Sequence, residues 1–234
     1  MATEIAMAAD QKTPVDSCQD ELTVAAVPET LRSSLRLDPF YKKYVDARGL
    51  PVLSSEKPSN HALLEAAYLI DRMLLARPDV RGALAEQKVR FVVMASSEMT
   101  TDVPEHGDLR PAKRWNRRAR GLGPSPERPV VSCGEENLLR FPGDPYAAEN
   151  ILVHEFAHAI HDMGLNSIDE SFQGRLEATY RNAMQKGLWK GTYAATDVSE
   201  YWAEGVQSWF DTNRENDRDH NHVNTREELC AYDP

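Results

Sequence analysis

At 234 residues, 41% of them hydrophobic, the chain can bury the core of one domain or of a small two-part domain. A net charge of −10 argues against nucleic acid as a general partner, and no apolar run is long enough to cross a membrane. Three cysteines, Cys18, Cys133 and Cys230, stand far apart and make no paired zinc motif.

Residues 1–35 are polar and mixed and read as a loosely ordered leader, with a short helix near Pro28 to Leu35. The N-terminus lacks a basic start followed by a long apolar stretch, so no intact signal peptide is visible. A secreted protein whose signal has been removed is slightly favoured over a cytoplasmic one. The first setting would allow one disulfide and a spare thiol, the second three ordinary thiols. From residue 36 a single domain is expected, with an α/β part over 36–145 and a helical part over 146–234.

Gly49 to Ser54 is short and apolar, as a strand would be. His61 to Ala76 carries Leu63, Leu64, Ala67, Leu69, Ile70, Met73 and Leu74 at helical intervals, with Asn60 available as its cap. Pro78 opens a second short helix ending near Gln87, and Lys88 to Ala95 reads as a buried strand. Strand, long helix, strand is a crossover unit, which favours parallel pairing. Ser96 to Pro129 has no periodicity, and loops of this length are often functional. Its basic run, Arg110 to Arg120 (RPAKRWNRRAR), could be a phosphate or polyanion patch, but reads rather as a solvated loop or a contact with acidic groups of the chain or its substrate. One aromatic, Trp115, is too few for base stacking. His106 is expected at the loop surface.

The stretch VHEFAHAIHDMG, Val153 to Gly164, places His154 and His158 one helical turn apart on one face, with Glu155 beside the first. This is the H-E-x-x-H pattern, in which two imidazoles bind zinc and the glutamate handles the reacting water. A metzincin continuation fails, because His161 stands where a glycine is needed and Gly164 where the third histidine is needed. His161 is assigned a supporting or solvent-facing role.

Ser167 to Gly187 forms another amphipathic helix, and Gly187 and Gly191 frame the turn that follows. From Val198 a further helix begins, capped by Asp197 or Ser199. Glu200 and Glu204 share one face of it, a like-charge pair that destabilises an isolated helix. Beside H-E-x-x-H, a metal role outweighs a solvated acidic face: Glu200 as third ligand, Glu204 accepting a hydrogen bond from a ligand histidine. The segment GTYAATD bears a faint resemblance to the aspzincins, which makes Asp197 the rival third ligand. His220 and His222 lie in a polar tail expected to face solvent, and no closing helix is evident before the chain ends.

H-E-F-A-H followed by Tyr193 and, seven residues later, Glu200-Tyr201-Trp202-Ala203-Glu204 resembles the catalytic domain of anthrax lethal factor and its gluzincin relatives, including the Pro-Pro endopeptidases. The resemblance covers Tyr146 to Asp211. It implies an α+β, zincin-like fold: a small mixed sheet packed against an active-site helix, with a mainly helical C-terminal part. It implies zinc held by His154, His158 and Glu200, with Glu155 as general base, Tyr193 supporting the oxyanion and Glu204 behind the metal. The expected activity is zinc-dependent hydrolysis of a peptide or protein substrate. A zinc hydrolase for another amide or a small molecule, and a silent peptide-binding module, stand as alternatives.

Overall fold

The computed structural model describes residues 22–234, so Cys18 and most of the expected leader lie outside the described residues. From Leu22 onward the chain is built into the fold. Strand β1 (Ala25–Ala26) pairs at the sheet edge, and Pro28 starts helix α1 (Glu29–Leu35), close to the expected helix. The domain is α+β, around a six-stranded mixed sheet.

Strand β2 (Lys43–Ala47) was not foreseen. It forms an antiparallel hairpin with β3 (Leu50–Ser54) through Arg48 and Gly49, both with positive φ (52° and 92°). That backbone suits the right-handed twist of the two strands, and Gly49 reaches it without steric cost. The amide of Gly49 also donates to the Asp46 carboxylate at 2.6 Å.

Helix α2 (Asn60–Met73) and helix α3 (Pro78–Glu86) then lead to β4 (Arg90–Met94). The expected crossover is present: β3 and β4 are parallel, with Val52 opposite Phe91. The cap of α2 is Ser59 rather than Asn60, its hydroxyl accepting from the His61 amide. The basic run, expected as a loop, holds helix α4 (Ala112–Arg118); strand β6 (Val130–Gly134), followed by the short helix α5 (Glu135–Leu138), adds in parallel to β4, and the two-residue strand β5 (Gly121–Leu122) pairs antiparallel with β6, giving the order β1-β2-β3-β4-β6-β5.

Alternation along the strands sends Phe91 and Val93 to one face and Val92 and Met94 to the other. The first face packs on α2 and on α6 (Ile151–Ala159), where Phe91 meets Phe156 edge to face at 4.8 Å. This main core positions helix α6. Gly164 lies where α6 continues as a wider turn, Ile160–Leu165, and a β-carbon there would sit 2.7 Å from Val80 of α3.

The opposite face is covered by Leu37, Tyr41 and Val103. Here His106 departs from the surface expectation. It is 3% exposed, and its Nε2 lies 3.0 Å from Ser132 Oγ of β6. Burial pulls its pKa down from 6.5 to about 4. Below 6.5 the unfolded chain binds a proton that the folded chain refuses until about 4, so stability falls as pH drops through this window. His106→Gln, which cannot titrate, should lose up to about 3 kcal/mol less stability than the wild type across the same window. Urea melts in chelator at both pH limits test this, and parallel profiles for the two proteins would refute it.

The C-terminal part is helical, as expected: α7 (Phe172–Gln185), α8 (Val198–Trp209) and, against expectation, a closing helix α9 (Arg226–Tyr232). Thr225 and Glu228 form a capping box that starts α9. Asp233 just beyond it accepts from Trp189 Nε1 at 2.8 Å and Tyr201 OH at 2.7 Å, fastening the chain end over α8. Cys133 is buried and Cys230 exposed, and both are free thiols.

Candidate metal centre

Helix α6 begins at Asn150, whose side chain accepts from the Val153 amide. The next turns present His154, Glu155 and His158 along one side, while Leu152, Phe156 and Ala159 enter the core. Helix α8 lies against α6, and Trp202 Nε1 donates to the Ala157 carbonyl at 2.8 Å. Asp197 caps α8 by accepting from the amides of Ser199 (2.9 Å) and Glu200 (3.0 Å).

The three candidate ligands read from the sequence come together. His154 Nε2 and His158 Nε2 are 3.2 Å apart, and Glu200 Oε2 lies 3.1 Å from the first and 3.7 Å from the second. Glu200 Oε2 is buried and takes part in no hydrogen bond. One atom from each of the three residues falls within 4.8 Å of the others, so this group could hold a metal ion. Two imidazole nitrogens and a carboxylate oxygen converging on one point, with the far ring nitrogens already engaged, is a donor set that zinc accepts.

The electrostatics agree with a point that wants positive charge. Burial opposes protonation of His154, but the Glu200 carboxylate 3.1 Å away and the charges of Glu155 and Glu204 outweigh that and raise its pKa to about 10. Burial, then the His154 charge, lowers His158 to about 4. Burial also resists ionisation of Glu200, yet His154, His158 and Tyr193 hold its carboxyl below the ordinary range. Glu155 is lifted by burial to about 7, and the Gly123 amide donates to it. Tyr193 OH donates to Glu200 Oε1 at 3.1 Å. Burial and the Glu200 charge raise its pKa, so the phenol keeps its proton.

The support behind the ligands differs from the expected one. His154 Nδ1 is hydrogen-bonded to Gln207 Oε1 at 2.9 Å, whereas Glu204 Oε1 stands 3.6 Å away. Gln207 is fully buried, and its amide nitrogen donates to the Asn150 carbonyl at 3.2 Å, which turns Oε1 toward the histidine. Glu204 instead accepts from Asn213 Nδ2 at 3.0 Å and lies 3.4 Å from His220 Nε2. His158 Nδ1 meets Ser199 Oγ at 2.9 Å. Gln207 lies seven residues after Glu200, on the same helical face, so the periodicity that exposed Glu204 could also have exposed it. His220 is not solvent-facing: its side chain is 8% exposed and bonds Asp217 at 2.8 Å. His161 is buried against Gln173 at 2.7 Å and is no part of the cluster. Asp197 is occupied with its cap and stands outside it too.

The strand beside the site was not foreseen from the sequence. Met99 to Val103 contains a helical turn, Thr100–Asp102, and Val130–Gly134 is internal to the sheet. The edge is Gly121–Leu122, continuing to Gly123. A β-carbon at Gly121 would sit 2.3 Å from Ile151 Cγ2, and one at Gly123 would sit 3.2 Å from His158 Cβ. Glycine is what lets this strand lie on α6.

The chain matches no protein-family model, and no curated protein matches it either.

Proposed function

We propose that the protein is a zinc-dependent metallopeptidase of gluzincin type with a zincin-like catalytic domain. The observation that carries this reading is the convergence of His154, His158 and the unbonded Glu200 oxygen beside Glu155 and a glycine edge strand. When bound, zinc would supply acidification of a water and polarisation of a carbonyl.

The protein's own groups divide the remaining work. Gln207 and Ser199 hold the two imidazoles with their Nε2 atoms facing the ion position. Glu155, with a pKa near neutrality, takes the proton of the attacking water and passes it to the leaving amine. Tyr193, kept protonated and 39% exposed at the mouth of the site, donates to the oxygen that gains charge. The outer edge of β5 offers main-chain groups to an extended peptide, which favours a peptide over a small amide.

The test is hydrolysis of a quenched-fluorescent peptide library. Activity should vanish in chelator and return with about one equivalent of zinc per chain. One zinc bound with no peptide cleaved would move the protein to another hydrolase class, and activity untouched by chelator would end the zinc reading.

A further inference from the structure

Seven residues of the basic run form helix α4 (Ala112–Arg118), which leads directly into the edge strand. We propose that the substrates of this site carry acidic side chains on the part of the peptide that passes α4, and that Lys113, Arg114 and Arg117 select them. The proposal rests on the metallopeptidase reading and narrows it to a substrate class.

The helix has two sides. Trp115 and Asn116 are partly buried, and Asn116 Oδ1 accepts from the Thr101 amide at 3.0 Å, anchoring the inner side. Lys113, Arg114 and Arg117 are exposed on the outer side and pair with no acidic group among the described residues. Other arginines of the chain behave differently. Arg90 is tied to Glu105, Arg214 to Glu149 and Arg81 to Asp71. Even Arg120, at the end of the same run, is turned inward onto Glu136 and the Ala95 carbonyl. Structural work therefore accounts for Arg120 but not for the three exposed cations.

Their position gives them a use. Arg117 is four residues before Gly121 and six before Gly123, which lies against Glu155 and His158. A peptide laid along β5 advances about 3.3 Å per residue, so it passes α4 within a few residues of the bond beside Glu155. In a chain of net charge −10 such a cluster is a local reversal of sign, and it would favour carboxylates near the cleft. Single-stranded nucleic acid fits less well, since only one aromatic accompanies these cations.

The experiment uses the full chain carrying Glu155→Gln, loaded with zinc, and measures binding of three fluorescent peptide pools. The pools share a random neutral core and differ only in flanking Glu, Gln or Lys triplets. The Glu pool should bind about tenfold tighter than the Gln pool, and the gap should close in about 0.5 M NaCl. Adding Lys113→Glu, Arg114→Glu and Arg117→Glu together should move the preference to the Lys pool, with zinc content retained as the check on folding. Equal affinity for the Glu and Gln pools, a Glu preference that survives the triple change, or tighter binding of a single-stranded oligothymidylate would each overturn the proposal. Cleavage of the neutral pool by the unaltered chain separates the two claims. Hydrolysis without acidic preference removes the selectivity alone, whereas acidic preference without hydrolysis removes the peptidase reading alone.

Discussion

Glu155→Gln is expected to bind zinc like the wild type while losing peptide hydrolysis roughly 100- to 10,000-fold. The geometry makes this a clean substitution. Glu155 lies on α6 beside both histidines but is not one of the three convergent donors. The amide side chain has nearly the same shape, and its oxygen can still accept from the Gly123 amide that now meets the carboxylate. What it cannot do is take up a proton. Burial already lifts the carboxyl to about 7, which suits a group that must accept a proton from water and release it to an amine in one turnover. Elemental analysis alongside kcat and KM would decide the matter. A fully active variant removes Glu155 from the chemistry, and loss of zinc together with activity makes it a structural support.

Helix α6 was legible in the sequence because its information is local. His154, Glu155 and His158 are fixed by one helical turn, and the apolar residues around them give the face that must be buried. Helix α8 was legible for the same reason, down to the Asp197 cap. The crossover pairing of β3 and β4 followed from element order alone. What escaped depends on distant partners. Strand β5 has two residues and a glycine at each step of its approach, so it shows no alternation; pairing with Cys133 and Ser132 and the closeness of α6 make it a strand. His106 and His220 sit in polar stretches that look solvated, and only Ser132 and Glu204, far away in the chain, turn them inward. The Glu204 and Gln207 exchange is finer. Both lie on the ligand face of α8, and the choice between them is set by Asn213 drawing the carboxylate one way and Asn150 orienting the amide the other.

Zinc affinity should rank the residues of α8 in a fixed order: Glu200→Ala most damaging, Gln207→Ala next, Asp197→Ala least. Glu200 contributes the buried oxygen that has no hydrogen bond of its own and lies 3.1 Å from His154 Nε2, so its removal deletes a donor. Affinity should fall more than about 100-fold, beyond what removal of a supporting residue normally costs. Gln207→Ala leaves all three donors but frees His154 Nδ1, and a loss of about 10- to 100-fold is expected from the disordered ring. Asp197 touches only backbone amides, so its loss should cost about 1 kcal/mol of stability while zinc is retained. Competition titration against a chromophoric chelator reads all three on one scale. If Asp197→Ala weakened zinc more than Glu200→Ala, the third ligand would be the aspartate; if all three variants kept full affinity, the two histidines would be holding their ion without α8 and the gluzincin assignment would fall.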